Sequence, residues 1–564
     1  MSTGKHIEEF YKNFIYTRTY SRWDYDKNRR EKWNETVDRY FNFMRDRVPN
    51  SLISKFEKAH EMVEDLEIMP SMRALWSAGD ALERDNIAGY NCAYLPVNNL
   101  RAFSECLYIL MNGTGVGFSV ERQYTNELPD LPKTLTENGL TIKFEDSKAG
   151  WATGLDSVIK ALYTGKLPKF DLTDVREEGS ILRTFGGRSS GPAPLKKLLD
   201  FTVNIFQQAV TRNEKRLNSL ECHDIMCAIA SAVVVGGVRR SACISLSNLS
   251  DLRMRNAKEG QFWLSNPQRA LSNNSVAYTE KPEMSLFLEE WVSLMKSGTG
   301  ERGIFNRESA NYLIEQNGRR KINGYEFGIN PCSEIILRPN EFCNLTEVVV
   351  RPSDKLPDLQ RKVQFATILG VLQSTLTDFK FINEEWKKNC DEERLLGVSL
   401  TGIMDHPVLS NEKKPEVMET WLSSMKETAI NVAEKWSKAL KIPMPAAISC
   451  TKPSGCHNPS QKIKTTDGVK TLENIFKENG IDLSLKQEEK REWYEPSKET
   501  IVYDKDNKEQ RVTKLFINGM AETLKLTMED GSIVECTPNH KFLLVTGEWK
   551  EAQELSEEDD IKQF

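Results

Sequence analysis

The stretch GINPCSEIILRPNEFCNLTEVVV (residues 328–350) places two cysteines among strand-forming residues. Asn330 and Glu334 flank Cys332, two residues away on either side. In an extended chain such neighbours point to the same side, so a thiol, an amide and a carboxylate would converge on one ligand. This trio suits a polyhydroxyl substrate, because an amide can hold a hydroxyl and a carboxylate can act as general base. Cys343 follows eleven residues later, where a turning chain could present a second thiol.

The alternative is that Cys332 and Cys343 are buried core cysteines beside an edge carboxylate. Two further segments, GYNCAYLPV and MNGTGVGFSVE, favour a functional site over buried core cysteines. The first places Cys92 before an apolar run, as in a strand that enters a barrel. The second carries Gly113, Gly115 and Gly117, which allow close backbone packing. Its spacing is not G-x-G-x-x-G, so it does not indicate a dinucleotide-binding loop.

Further along the chain, strand-like and helical patterns alternate, which favours an α/β body with a central sheet. The strand-like runs are GVGFSVE, IMCAIASAVVVGGV, ACISL, CSEIIL, NLTEVVV and RLLGVSL. Long amphipathic helices are predicted at about 357–376 and 415–440, and a charged, helical region at 27–67.

Composition indicates a large cytosolic protein. The 564 residues suggest several domains. The net charge of −6 argues against a general binder of nucleic acid or membrane surfaces. We expect no membrane segment or signal peptide, because no run of eighteen apolar residues occurs. The eleven cysteines form no C-x-x-C pair and the six histidines are scattered, so no metal site is expected.

Several motifs together resemble the ribonucleotide reductases, most closely the monomeric, adenosylcobalamin-dependent (class II) ribonucleoside-triphosphate reductases. The shared motifs, in order, are FIYTRTYSRW, MPSMRALW, NCAYL, GTGVGFSVE, GGVRRSACISL, INPCSEI, EFCNLTEV, LLGVSLTGI and TKPSG. The resemblance spans roughly residues 10–455. It implies a helical region (1–70) and a ten-stranded α/β barrel (71–455), incomplete in this chain, with the radical cysteine on a loop inside it.

The resemblance also implies roles for the cysteines. Cys332 would become a thiyl radical through adenosylcobalamin and take the 3′ hydrogen of the ribose. Glu334 would accept the 3′-hydroxyl proton and Asn330 would hold the sugar hydroxyls. Cys92 and Cys343 would supply the reducing equivalents, end as a disulfide and be restored by a thioredoxin-like reductant.

Other segments are predicted to bind nucleotides. Ser71, Ser454 and Gly455 have the hydroxyl and small residues that free backbone N–H groups for phosphate, although ordinary turns share this composition. Asn91 is a further candidate contact to substrate. By resemblance, GGVRRSACISL (236–246) couples a deoxynucleotide effector to substrate choice, with Gly237, Arg239 and Arg240 as its working residues. A solvated arginine pair is the alternative. An inserted region within 122–230 would complete the effector site of a monomer.

The chain changes character at Cys456. Charged residues number 39 in the last 109 positions and 119 in the preceding 455. In ETLKLTMEDGSIVEC an Asp-Gly pair separates two alternating runs, which predicts a β-hairpin. Residues 456–564 are therefore expected to form a separate, mostly β module.

This module resembles the amino-terminal part of an intein. Cys456 would attack the Gly455 carbonyl, and the TPNH motif, from Thr537 to His540, would polarise and protonate the scissile peptide. The terminal His-Asn of an intein is missing, so we expect a split intein whose partner chain carries the rest of the reductase. A truncated gene is one alternative. Others are a reductase large subunit that depends on a separate metal-containing subunit, or an inactive reductase body carrying a self-processing intein.

Overall fold

The computed structural model describes most of the chain before residue 451 and short stretches after it. The described residues are 16–17, 21–24, 27–181, 188–235, 243–298, 300–410, 415–451, 462–465, 468–471, 478, 492–494, 496–497, 501–503, 509–512, 515–517, 524–527, 533–536, 541–543, 549–551 and 555.

Two helices, Trp33–Arg45 and Ile53–Glu64, form the predicted helical region near the amino terminus. In the first, Val37, Tyr40, Phe41 and Met44 recur at helical spacing and are all buried. The hydroxyl of Tyr40 donates to Gln373, 3.0 Å away, so this region packs on the body.

The remaining α-helices include the two predicted long ones, which the structure confirms at Leu356–Gln373 and Pro415–Leu440. The others are Met72–Ser77, Asp80–Arg84, Arg101–Met111, Arg122–Thr125, Lys148–Tyr163, Ala193–Thr211, Ser219–Val235, Leu252–Arg255, Phe262–Ser265, Met284–Ser297, Arg307–Asn317 and Glu384–Glu393. No helix among the described residues has the length and apolar character needed to cross a membrane.

One predicted strand is wrong. The run IMCAIASAVVVGGV (225–238) begins inside the helix Ser219–Val235. Described positions such as Ile225, Met226 and Ile229 are fully buried. An apolar run buried on all sides carries no periodicity that separates a helix from a strand, and its length favours the helix.

A six-stranded sheet forms the centre of the body. Its order is Gly303–Asn306, Ser272–Tyr278, Cys243–Asn248, Gly115–Ser119, Cys92–Pro96 and Glu341–Cys343. The first five strands are parallel, joined by helices as βαβ connections require. Glu341–Cys343 runs antiparallel to its neighbour.

The chain from 341 to 349 joins this sheet to a second one. After Cys343 it continues as the strand Leu345–Val349, which pairs in parallel with Gly397–Thr401. Ile68–Met69 pairs antiparallel with Leu345–Val349. Ser449 forms a parallel bridge with Val398 beyond the other edge. The α/β body is therefore a series of strands in two sheets, which the quoted stretch 328–350 connects through the chain.

A short hairpin lies against the strands of the first sheet. Gly328–Ile329 pairs antiparallel with Ile336–Leu337 and carries Cys332 at its tip. A side chain at Gly117 would place its Cβ 1.9 Å from the carbonyl oxygen of Ile329, so only glycine lets the hairpin lie this close. This contact confirms the predicted role of glycine in GTGVGFSVE.

The region 122–230 contains the parallel strands Thr136–Lys143 and Lys166–Asp171 in addition to helices. Near the amino terminus, Trp23–Asp24 pairs with Arg29–Arg30.

After residue 456 the described elements are short antiparallel strands. They are Lys462–Thr465, Gly468–Thr471, Glu492–Tyr494, Ile501–Tyr503, Glu509–Arg511, Leu515–Ile517, Leu524–Thr527, Ile533–Cys536, Lys541–Leu543 and Trp549–Glu551. Leu524 faces Cys536 and Thr527 faces Ile533 across the predicted Asp-Gly hairpin, which is thereby confirmed.

Candidate active site

The hairpin tip brings the predicted amide and carboxylate together. The Nδ2 of Asn330 donates to Oε2 of Glu334 at 2.8 Å, and its Oδ1 accepts from the backbone N–H of Ile335 at 3.0 Å. Asn330 is fully buried, whereas Cys332 between the two residues is exposed. The tip therefore presents a thiol to solvent and holds a fixed amide–carboxylate pair beneath it.

The local conformation differs from the extended chain that the spacing suggests. Ser333 adopts a φ of 65°, and its N–H donates to the carbonyl of Asn330 at 2.9 Å. The N–H of Asn330 in turn donates to the carbonyl of Ile335 at 3.2 Å. A tight turn, and not strand alternation, thus brings Asn330 and Glu334 to one side.

Cys92 and Cys343 face each other on neighbouring antiparallel strands. They are direct partners in the pairing of Cys92–Pro96 with Glu341–Cys343. Such partners have Cα atoms about 4.5–5.5 Å apart, which lies within the range that a disulfide bridges. Both side chains are buried free thiols. The register therefore suits reversible disulfide formation.

The third cysteine completes the cluster. A hydrogen bond with Cys332 lowers the pKa of Cys92, while a hydrogen bond with Cys343 and burial raise it, with a net result well above the ordinary value. Asn330 also hydrogen-bonds to Cys92. The three predicted cysteines and Asn330 thus meet at one point, and Glu334 joins through Asn330.

We expect diamide to link Cys92 to Cys343 in the unliganded chain, because the register leaves the two sulfurs free to approach. Peptide mass spectrometry of the blocked and digested protein measures the cross-link. The hydrogen bond with Cys343 and burial raise the pKa of Cys92 well above its ordinary value, so the cross-linking rate should increase as the pH rises above 7. Cys106 and Cys222, buried elsewhere in the core, serve as internal controls. A dominant cross-link to any other cysteine would contradict this pairing.

The structure places the two predicted substrate residues Ser71 and Asn91 side by side. The Ser71 Oγ lies 2.6 Å from Oδ1 of Asn91, and its backbone N–H donates to Oε1 of Gln373 at 2.9 Å. Ser71 is buried, whereas Asn91 is half-buried and precedes Cys92. Contact of these two residues with substrate stays a prediction. Asn91 is the better candidate, because its side chain is the more accessible of the two.

The other predicted residues lie outside the described part of the chain. They are Gly237, Arg239, Arg240, Ser454, Gly455, Cys456, Thr537 and His540.

Sequence reasoning missed a buried ionic group behind Cys343. Arg320 donates to Glu341 at 3.1 Å and also pairs with Glu393. Burial, then the charge of Glu393, raises the pKa of Glu341 well above its usual range despite Arg320. Glu341 also accepts from the backbone N–H of Arg338 at 2.8 Å, so it fixes the start of the strand that carries Cys343. The only sequence signal for this ionic group is a glutamate two residues before a cysteine, in NEFC.

Two family descriptions match the chain. Residues 2–80 match "Ribonucleotide reductase alpha domain" and residues 170–410 match "Ribonucleotide reductase, barrel domain". Among solved structures, that of a B-12 dependent (class II) ribonucleotide reductase is similar, with a TM-score of 0.65 and 22% identity. The match covers 79% of this chain and 72% of that one. The fold is therefore that of the ribonucleotide reductase barrel, with a helical amino-terminal region, as predicted.

Curated relatives indicate which class of ribonucleotide reductase the chain resembles. A protein from Lactobacillus gasseri, named adenosylcobalamin-dependent ribonucleoside-triphosphate reductase, is 27% identical across 78% of this chain and 71% of its own length. A protein of the same name from Lactobacillus leichmannii is 28% identical across 69% of this chain and 61% of its own length. The chain is thus a homologue of the adenosylcobalamin-dependent ribonucleoside-triphosphate reductases, and the predicted resemblance is confirmed. It spans roughly two thirds of their length.

Proposed function

We propose that this chain, once its reductase portion is complete, reduces ribonucleoside triphosphates to 2′-deoxyribonucleoside triphosphates with adenosylcobalamin as cofactor. The observation that carries the proposal is the thiol cluster: the exposed Cys332 at the hairpin tip contacts Cys92, which faces Cys343 in the register of the sheet. Three converging thiols provide one group for radical chemistry and two for reduction.

Cys332 is the proposed radical residue. Adenosylcobalamin, when bound, supplies a carbon-centred radical through homolysis of its cobalt–carbon bond. The Cys332 thiol fits that chemistry because it is exposed at a turn whose backbone is held by hydrogen bonds. Losing its hydrogen atom makes Cys332 a thiyl radical, which takes the 3′ hydrogen of the ribose.

Glu334 and Asn330 are proposed to handle the sugar hydroxyls. Glu334 is half-buried, so its carboxylate can accept the 3′-hydroxyl proton, with Asn330 donating to one carboxylate oxygen at 2.8 Å. This hydrogen bond orients the base before substrate arrives, which lowers the cost of organising the reacting groups.

Cys92 and Cys343 are proposed to supply the two reducing equivalents. The 2′ C–O bond breaks and the hydroxyl leaves as water, while the two thiols lose two hydrogen atoms and form one disulfide. A thioredoxin-like protein would then reduce that disulfide by thiol exchange. The 3′ hydrogen returns from Cys332, so the thiyl radical is regenerated and the atoms balance.

The chain itself is proposed to be a precursor. Cys456, assisted by Thr537 and His540, would begin protein splicing at the Gly455–Cys456 bond, and a partner chain would supply the remaining intein and reductase segments. Ser454 and Gly455 would bind substrate phosphate after ligation. The loop with Gly237, Arg239 and Arg240 would respond to a deoxynucleotide effector, and the ligated enzyme would act as a monomer in the cytoplasm.

The direct test is an assay of the ligated enzyme. With adenosylcobalamin, dithiothreitol and each ribonucleoside triphosphate in turn, chromatography should detect the corresponding deoxynucleotide. Omission of adenosylcobalamin should abolish the product. Turnover that is independent of cobalamin, or that requires a separate metal-containing subunit, would refute the assignment.

A further inference from the structure

The helix Met284–Ser297 exposes a row of large apolar side chains and buries a glutamate and a serine. Met284, Leu288, Trp291, Val292 and Met295 recur at helical spacing and are all exposed. Its buried residues are Glu290 and Ser293, which lie beside the half-buried Phe287 and Leu294. A surface helix of a complete domain has the reverse arrangement, because apolar side chains gain free energy when they leave water.

Buried ion pairs hold the helix in this orientation. Glu290 accepts from Nε of Arg302 at 2.6 Å and from Nε of Arg255 at 2.9 Å. All three side chains are buried. Turning the helix to bury its apolar side chains would expose Glu290 and remove the buried carboxylate that Arg302 and Arg255 share, which is costly. The exposed apolar side is therefore a fixed feature of the fold.

Arg302 directly precedes a sheet edge that no described strand covers. The strand Gly303–Asn306 is the end strand of the six-stranded sheet and pairs, within the described residues, with Ser272–Tyr278 alone. Ile304 on this strand is 51% exposed. Unpaired edges with exposed apolar residues are templates for another strand, and folded proteins normally cover them.

Among the described residues, only an isolated bridge follows the opposite end of the strand series. Beyond Gly397–Thr401 the last described pairing is the bridge of Val398 with Ser449. The junction at Gly455 follows a few residues later, so a segment ligated there would start at this end of the series. A segment that starts after Ser449 and pairs with the strand Gly303–Asn306 would cover both ends of the strand series. The curated relatives contain a part that this chain does not match, since it covers 61% to 71% of their length.

We propose that the surface formed by Met284, Leu288, Trp291, Val292, Met295 and Ile304, here called the edge surface, binds the reductase segment of the partner chain before ligation. This inference rests on the proposed precursor function. The occupant is a polypeptide that adds a strand to Gly303–Asn306 and covers the helix Met284–Ser297 with apolar side chains. The two reductase pieces thus associate through their own core, in addition to any contact between the intein pieces.

The test uses the full chain carrying Cys456→Ala, so that ligation cannot consume the complex. The probe is the partner polypeptide from the same genome, containing the carboxy-terminal intein piece and the remaining reductase segment. The added variant pair Val292→Glu and Met295→Glu should weaken its affinity about 100-fold, because two carboxylates would be buried without partners. Sedimentation velocity with a fluorescent probe measures the dissociation constant.

Leu422→Glu is the matched control. Leu422 and Val292 are both 42% exposed and both lie on long helices. The control should bind the probe within about twofold of the parent chain, since solvent-exposed substitutions are usually close to neutral. Circular dichroism of every variant should match the parent, because the altered side chains already face water.

Three results would overturn the inference. Unchanged affinity in the Val292→Glu and Met295→Glu variant would show that the partner sits elsewhere. Self-association of the chain that this variant abolishes would make a second copy the occupant. Binding that disappears only when residues 456–564 are removed would assign all affinity to the intein. Failure of the proposed precursor function is separable, because the unmodified chain and the partner would then give no ligated product.

Discussion

Replacing Cys332 by alanine is expected to abolish deoxynucleotide formation by the ligated enzyme, with at least about a thousandfold loss of kcat, as when an enzyme loses its covalently acting residue. No other exposed thiol is described near the hairpin tip, and the neighbouring Cys92 and Cys343 are buried. The KM for substrate should change little, because Asn330 and Glu334 keep the mutual hydrogen bond that holds the tip.

Cys106→Ala is the control for this prediction. Cys106 is also a free cysteine but lies in the main apolar core, on the helix Arg101–Met111. Its loss should leave kcat within about twofold and cost on the order of 1 kcal/mol of stability through a small cavity. Retention of turnover by Cys332→Ala would show that the radical forms on another residue and would remove the central element of the proposed mechanism.

A second readout separates a chemical role for Cys332 from a structural one. If Cys332 only shaped the tip, Cys332→Ser would restore activity, because a hydroxyl is nearly isosteric with a thiol. The serine O–H bond is too strong to give its hydrogen to a carbon radical, so we expect Cys332→Ser to be as inactive as Cys332→Ala. Thermal unfolding of both variants should stay close to that of the parent, because the altered side chain is exposed.

Residue types and spacing predicted the members of the site, but not their geometry. Cys332, Asn330 and Glu334 could be grouped because they lie within five residues. The pairing of Cys92 with Cys343 depends on the register of two strands whose paired cysteines are 251 residues apart, which no local pattern contains. The resemblance to a known family supplied that pair, and the antiparallel register is consistent with it.

Sequence patterns also missed two local conformations and one buried ion pair. The turn at Ser333 needs a positive φ at a residue that does not favour it, and it is stabilised by hydrogen bonds to Asn330. The helix Ser219–Val235 reads as strand-like because Val and Ile favour strands when considered locally. The buried Glu341–Arg320 pair likewise joins residues from separate elements. The ion pair depends on residues distant in sequence, whereas the turn depends on hydrogen bonds between neighbours that no residue pattern reveals.

Replacing Cys456 by alanine is expected to eliminate ligated product entirely. Splicing at Gly455 requires the Cys456 sulfur to attack the preceding carbonyl, so that a C–S bond forms while the C–N bond breaks and its nitrogen takes a proton. Alanine has no nucleophile, so the amide persists. Electrophoresis and intact-mass measurement after mixing with the partner chain give the result.

Cys450→Ala is the matched control, because Cys450 lies six residues before Cys456. It should still ligate, which separates the position of the nucleophile from the mere presence of a thiol. A further measurement needs no partner: hydroxylamine should cleave the thioester of the parent chain and release residues 1–455, whereas Cys456→Ala should resist. His540→Ala should slow this cleavage about 10²-fold or more by removing the proton donor. Ligation by Cys456→Ala would refute the intein assignment and leave the reductase proposal intact, because the thiol cluster lies wholly within residues 92–343.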